Sequence, residues 1–382
     1  MLPIVLVASS WSTLPPKVNT NNVLAQIKTV DPDATKQTKA LFANLKKIST
    51  KQIMFGHQDD LAYGYKWNDW HKKKSDVKDV CGRYPAVFGW DISKLGQGNK
   101  NLDHVEFKNM SKWILEAYKM GGLNTMSWHV DNFVSKGNAW DNKSGNVVAA
   151  ILPGGAEHEN YKARLNIMAA FFKSLRKGFL AKHEIPIVFR PFHEHTGSWF
   201  WWGQPNCSPD EYKQLWQFTV KYLRDEKGVH NLLYCYSPDV FRDKEHYLEC
   251  YPGDEYVDIM GLDDYHDVNP ENDPVMLTKR LRMLVELAEE HGKVAALTET
   301  GLEGIPEARW WTDHLLKNIK ADPVASNIAW VLVWRNANND HDRPNHHYAP
   351  YPGHSSAPNF LEFCNDPVIL MEGELPKLYR LN

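Results

Sequence analysis

Two glutamates stand where a side chain can carry acid–base chemistry. Glu194 follows the apolar run 185–189 by way of Arg190-Pro191-Phe192-His193, and Glu299 follows the run 294–297 after a single threonine. A carboxyl group delivered by a strand end is held more tightly than one on a loop. Two such carboxyls facing one another can flank a single bond, the first protonating a leaving oxygen while the second attacks or activates water, which is what glycoside hydrolysis requires. A gap of about 5–5.5 Å between them corresponds to retention of configuration and about 6.5–9.5 Å to inversion. The plainer reading of one glutamate after one strand is a salt-bridge partner for a loop. Two of them, each with polar neighbours in a chain with 15 tryptophans, favour the chemical reading. Glu303, four residues beyond Glu299, is the rival on that loop and lies farther from its strand.

The elements that must position this pair alternate along the chain. Apolar runs of strand length occur at 53–56, 86–90, 123–128, 185–189, 232–236, 257–262, 294–297 and 328–334. Segments of helical period lie between them. One opens with Ser208-Pro209-Asp210-Glu211, where the serine caps, the proline suits the first turn and the glutamate closes a capping box. Another begins near Pro274, carries Leu277, Leu281, Leu284 and Ala288 on one face and stops at Gly292. Eight such units predict a single (β/α)8 barrel with loop insertions over 36–382, preceded by a leader or linker over 1–35. The alternative, an open doubly wound sheet, lacks a glycine-rich phosphate loop after any run.

In such a barrel the polar residues just past each run face the catalytic end. They are His57, Gln58, Asp59 and Asp60; Asp91; His129 and Asp131; Arg190, His193 and Glu194; Ser237 and Asp239; Asp263, Asp264 and Tyr265; Thr298 and Glu299; and Trp334, Arg335 and Asn336. The set is dense in acids and aromatics.

Composition narrows the partner. Lys+Arg 44 against Asp+Glu 47 leaves a net charge of -3, which gives no electrostatic footprint for nucleic acid or an anionic membrane. Aromatic residues at 12% exceed what a core needs, and surplus rings serve as stacking surfaces for the apolar faces of ligands such as sugars. Five cysteines without a C-x-x-C spacing argue against zinc ribbons and redox motifs, leaving either one disulfide or scattered thiols. The opening MLPIVLVA is too short to span a bilayer and fits the apolar part of a secretory signal only ambiguously. The histidines of Asn339-Asp340-His341 and His346-His347 have no metal-ligand spacing and read as polar substrate-loop residues, so no metal is expected.

Several segments together resemble glycoside hydrolase family 26, chiefly its β-mannanases. They are Phe55-Gly56-His57-Gln58-Asp59-Asp60, Ser127-Trp128-His129, Arg190-Pro191-Phe192-His193-Glu194 with Gly197-Ser198-Trp199-Phe200-Trp201-Trp202-Gly203, Asp263-Asp264-Tyr265, Thr298-Glu299-Thr300-Gly301 and Val333-Trp334-Arg335-Asn336. The resemblance implies a cofactor-free retaining enzyme acting from within β-1,4-mannan, glucomannan or galactomannan chains, with Glu194 as acid/base and Glu299 as nucleophile. Tyr265 is then the hydrogen-bond donor expected on Glu299, and Arg190 its electrostatic orienter. His193 is expected to contact the sugar or the nucleophile, and His129 to bind sugar. Trp334 is expected as the floor of the cleavage subsite and Trp199 as the cover beyond the scissile bond, while Arg335 and Asn336 reach toward the next sugar. Trp201, Trp202, Asp131 and Asp264 are weaker candidates. The same family resemblance leaves mixed-linkage β-glucan and β-1,3-xylan as rival substrates and mannobiose release from chain ends as a rival mode. A non-catalytic sugar-binding barrel would not need both glutamates. A monomer working in the periplasm, at the cell surface or outside the cell is expected.

Overall fold

The fold was obtained as a computed structural model that describes residues 24, 26–68, 73–178, 183–337 and 345–381. Eight parallel strands form the barrel: β1 Ile53–Gln58, β2 Val87–Asp91, β3 Leu123–Trp128, β4 Ile187–Pro191, β5 Leu232–Tyr236, β6 Ile259–Asp264, β7 Val294–Thr300 and β8 Trp330–Val333. They pair in sequence order, and β8 closes on β1 through Met54↔Trp330 to His57↔Val333. Helix α1 (Lys36–Ser49) precedes β1. At least one helix then follows each strand: α2 Asp76–Cys81, α3 Phe107–Met120, α4 His158–Ser174, α5 Pro209–Lys221, α6 Lys244–Leu248, α7 Val275–Glu290, α8 Trp311–Leu316 and α9 Ala357–Cys364, with the short helices Val147–Ile151 ahead of α4 and Lys317–Lys320 after α8. The expected (β/α)8 barrel is therefore the fold, and all eight apolar runs are its strands.

Strand boundaries shift mostly toward the carboxyl end, although β8 stops one residue short of its run. Several strands begin a residue or two after their apolar run and continue into the polar residues beyond it, because those residues stay paired: Asp263 opposite Glu299 and Asp264 opposite Thr300. The capping box on α5 is present, with Ser208 Oγ accepting from the Glu211 N–H at 3.3 Å and Glu211 Oε2 accepting from the Ser208 N–H at 2.8 Å. Gly292, just beyond α7, has φ +71° and ends that helix as its sequence predicts.

Inside the barrel, Met54, Val87, Leu123, Val188, Leu233, Ile259, Val294, Ala296, Trp330 and Leu332 pack into one apolar cluster with Leu41, Phe42, Leu45 and Ile48 of α1. Helix α1 thus plugs the amino-terminal end of the barrel. The Asn44 side chain on α1 donates to the Leu378 and Arg380 carbonyls at 2.8 and 2.9 Å and holds the carboxyl-terminal segment there. A short strand, β9 (Ile369–Leu370), adds to the start of β1. The end of the expected leader packs on the same rim: the Val30 N–H donates to Asp258 Oδ1 at 2.7 Å and the Thr35 N–H to the His230 carbonyl at 2.9 Å. All five cysteines are free thiols, Cys81 half-buried and the rest buried. Among the described residues no helix is long and apolar enough to cross a membrane.

Candidate active site

The carboxyl ends of the strands build an open cleft, and two departures from regular geometry aim its glutamates. Beyond β4 the chain turns through two left-handed residues, Phe192 at φ +50° and Glu194 at φ +55°. Neither type favours that conformation, so the turn must be held from outside. It is: the Glu194 N–H donates to the Ser237 carbonyl at 2.8 Å, Tyr212 Oη to the Phe192 carbonyl at 2.8 Å, and Trp202 Nε1 to the His193 carbonyl at 2.8 Å. On β7 the pairing shifts by one residue against both neighbours around Thr298. Strict alternation would send Thr298 inward and Glu299 outward; the bulge lets both face the axis. Thr298 Oγ1 accordingly lies 2.7 Å from Asp263 Oδ1, and Glu299 meets Arg190.

Glu299 is buried and doubly supported. Tyr265 Oη donates to its Oε1 at 2.8 Å and the Arg190 guanidinium to its Oε2. The same guanidinium pairs with Asp263 and reaches Ser237 Oγ at 3.3 Å, so Arg190 is locked between two carboxylates. Tyr265 and Arg190, expected as donor and orienter, are thus both in direct contact with Glu299. Glu194 has a different environment. Its Oε2 accepts from Trp199 Nε1 at 2.7 Å and no cation reaches it among the described residues. Burial, then the negative charges of Glu299, Asp263 and Asp239, push its carboxyl well above the ordinary range.

Of the four aromatics after Glu194, Trp201 and Trp202 are fully buried and pin loops by their indole N–H groups, and Phe200 is nearly so. Trp199 is 37% exposed and faces the cleft. Its ring lies over Gly197, where a Cβ would come within 2.1 Å of it, so only glycine fits below. Trp334, His129, Trp140, Tyr265, Tyr348, Glu194 and Glu299 line a cavity of about 570 Å³. A second cavity of about 420 Å³ shares Glu194, Trp199, Tyr265 and Asn269 with it and continues past them to Asp239, His266 and Asn272. The cleft therefore runs to both sides of Glu194.

Other expectations meet a different outcome. Arg335 does not reach along the cleft: its Nε pairs with Asp103 Oδ1 at 3.1 Å and its guanidinium approaches Tyr63 Oη at 3.4 Å, beneath the surface. Asn336 is fully buried, donating to Asp76 and the Ala349 carbonyl and accepting from the Tyr348 and Ala349 N–H groups. Once β8 has turned Trp334 into the cleft, alternation sends Arg335 the other way. Asp131 lines a separate cavity with Gln97 and Arg164. Asp264 accepts from the Asp267 N–H at 2.8 Å, away from the pair, with burial pushing its carboxyl up to about 7. Glu303 sits on the rim, its Oε1 accepting from His346 Nδ1 at 2.8 Å, while Glu299 is the buried one. His346 lines the cleft as expected of a substrate loop; residues 339–341 lie outside the described residues. Trp140, Asn269 and Tyr348 line the cleft without having been anticipated. Trp140 is 44% exposed and stacks on His129 with ring centroids 5.2 Å apart. A lone tryptophan in the polar loop Gly137-Asn138-Ala139-Trp140 was the available signal.

His193, Glu194 and Glu299 each offer an atom within 4.8 Å of the others', the one group among the described residues with the spacing to hold a metal ion. Arg190 already supplies positive charge on Glu299, so the arrangement is a carboxyl pair with a histidine beside it rather than a metal centre.

A parallel eight-stranded barrel with two unlike carboxyls on facing strands, opening on an aromatic cleft, defines a class of carbohydrate-active barrel site. The chain belongs to Glycosyl hydrolase family 26, whose profile matches residues 30–348. It is similar to a mannan endo-1,4-beta-mannosidase of Bifidobacterium adolescentis, 34% identical over 89% of this chain, and spans 35% of that relative's length. Among solved structures it is similar to a GH26 beta-mannanase from Bacteroides ovatus, 44% identical with a TM-score of 0.85, covering 91% of this chain and 98% of that one. The modular endo-beta-1,4-mannanase of Cellulomonas fimi is 38% identical with a TM-score of 0.84, covering 93% of this chain and 79% of that one.

Proposed function

We propose that the protein is a cofactor-free retaining glycoside hydrolase that cleaves β-1,4-mannosidic bonds within mannan, glucomannan or galactomannan. The observation that carries the reading is the unlike carboxyl pair, with an oxygen of Glu194 within 4.8 Å of an oxygen of Glu299. That spacing is on the short side, where direct attack replaces an intervening water.

In the first step Glu299, ionised and oriented by Arg190 and Tyr265, attacks the anomeric carbon. Glu194, kept protonated by its burial, gives its proton to the departing glycosidic oxygen. The covalent glycosyl–enzyme then breaks when Glu194, now a carboxylate, takes a proton from water attacking the same carbon. Trp334 floors the sugar being cleaved, Trp199 covers the leaving side, and His129 and His193 meet hydroxyls near the reacting centre. Arg335 supports the cleft from below through Asp103. The continuation of the cleft on both sides of Glu194 supports cleavage within a chain. The names of the relatives support mannan over other β-glycans. We place the protein as a monomer in the periplasm, at the cell surface or outside the cell, where polymeric mannan is met.

Reducing-sugar release from β-mannan, galactomannan, mixed-linkage β-glucan and β-1,3-xylan tests the substrate. Activity on the mannans alone is expected, and hydrolysis confined to β-glucan or xylan would overturn the reading. Mannopentaose should give mannobiose and mannotriose together early in the reaction; stepwise mannobiose release from long chains, with no mid-chain cuts, would replace the internal mode by an end-acting one.

A further inference from the structure

A chain of buried polar contacts leads away from the carboxyl pair to a residue the scheme above does not use. Asp91, the last residue of β2, is fully buried. Its Oδ2 accepts from Ser127 Oγ at 2.8 Å, the His129 N–H at 3.1 Å and His129 Nδ1 at 2.8 Å, and its Oδ1 from the Ser93 N–H at 2.8 Å. An ionised carboxylate only accepts, so His129 Nδ1 carries a proton. The other nitrogen of that ring, Nε2, lies 3.2 Å from Nε2 of His193. Of two facing ring nitrogens, one must donate. His193 Nδ1 is buried without a hydrogen-bond partner, and a nitrogen of that ring lies within 4.8 Å of an oxygen of Glu194 and of Glu299.

We propose that Asp91 is a positioning residue which, acting through His129, places the His193 proton on Nδ1 and so fixes the tautomer of the histidine beside the carboxyl pair. The proposal rests on reading Glu194 and Glu299 as the reacting pair. Two arrangements satisfy the contacts. With His129 neutral, its one proton stays on Nδ1, His193 must donate through Nε2–H, and His193 Nδ1 is left bare. With His129 protonated on both nitrogens, His129 donates to His193, whose single proton then sits on Nδ1. The surroundings select the second. Burial disfavours charge on His129, but Asp91 on β2, Glu299 on β7 and Asp103 on the loop after β2 outweigh it and hold the ring above its ordinary value. Burial, with Arg190 on β4 and His129 itself, holds His193 well below its own. The other rings packed on the two, Trp140, Phe200, Trp202 and Trp334, are uncharged, and Glu194 lies within 4.8 Å of His193. The His193 ring stands beside the two carboxyls, so its tautomer decides which of its nitrogens presents a donor there and which a lone pair.

Nitrogen-15 imidazole correlation spectra of the full chain test this without reference to activity, with His193→Gln assigning the His193 signals. The wild-type protein at mildly acidic pH should show His193 protonated on Nδ1, and raising the pH through the His129 titration should move that proton to Nε2. Asp91→Asn should show Nε2–H throughout, because three donors keep the amide oxygen in the place of Oδ2 while the charge that sustains the His129 cation is gone. Its kcat should fall on the order of 100-fold, with KM changed less than about threefold and the alkaline limb of the pH profile moved to lower pH. A wild-type His193 protonated on Nε2, or an unchanged tautomer in the variant, overturns the proposal. Should Asp91→Asn not fold, the wild-type pH series decides alone. Failure of the protein to hydrolyse any mannan would remove the proposed function and leave the tautomer result standing.

Discussion

The two ends of the barrel are made from the same eight strands and answer to opposite demands. At the amino-terminal end the interior is filled by Met54, Val188, Val294 and Trp330 against Leu41, Phe42, Leu45 and Ile48 of α1, all buried and apolar. At the carboxyl-terminal end the same strands carry Arg190, Asp263, Glu194 and Glu299, also buried, with charges facing one another. The first end follows local rules throughout. The second breaks them with the left-handed Phe192 and Glu194 beyond β4 and a bulge on β7, and the turn beyond β4 is held by hydrogen bonds to Ser237 just past β5 and from α5 and the aromatic loop. Burial thus stabilises one end and tunes the other, where it raises the Glu194 carboxyl at the expense of stability.

Substitutions should separate these roles. The largest effect is expected from Glu299→Ala, with kcat on mannan lowered on the order of 10⁵-fold and the melting temperature no lower than wild type. Glu194→Ala should cost ~10²–10⁴-fold on mannan and much less on aryl mannosides whose leaving groups need no proton. Steady-state rates on both substrates check this, and equal losses on the two would remove Glu194 from the acid role. The opposite pattern is expected at the plug. Leu45→Ala should lower stability by ~2–5 kcal/mol in denaturant titration while the rate per folded molecule stays at the wild-type level.

The smallest effect sharpens the comparison most. Glu194→Gln keeps shape and removes the titration. Below the unfolded glutamate value, about 4.3, both states of the wild-type chain hold the proton and the variant has no advantage. As pH rises above it the unfolded chain ionises while the buried carboxyl does not, so wild-type stability falls until the raised folded value is passed. The variant should therefore be more stable at neutral pH by on the order of 1 kcal/mol, the difference vanishing in acid. Thermal melts across pH measure it, and a difference independent of pH would mean that the native carboxyl is not perturbed.

What the chain discloses about itself divides along the same line. Strands and the plugging helix follow from apolar runs and helical spacing, because burial is a property of residue type. The strand-end filter also found Glu194, Glu299, Arg190, His193, His129 and Tyr265, since a polar residue directly after a buried strand has few places to go. It failed where side-chain direction mattered. Arg335 and Asn336 follow Trp334 immediately, and composition does not say that both turn beneath the cleft. Nor does it say that β7 gains a residue at Thr298, without which Glu299 would face outward. Trp140 escaped notice because it lies on a loop far from any strand end, brought to His129 by the tertiary fold.

The central claim is that Glu299 attacks the sugar while Glu194 manages the proton. Incubation of the Glu194→Ala variant with a 2-deoxy-2-fluoro-mannobioside bearing an activated leaving group, followed by peptide mass spectrometry, tests it most directly. The account predicts one added fluoromannobiosyl group on the peptide containing Glu299 and none in Glu299→Ala. An adduct on Glu303 or elsewhere, or turnover with inversion and no adduct, would contradict it.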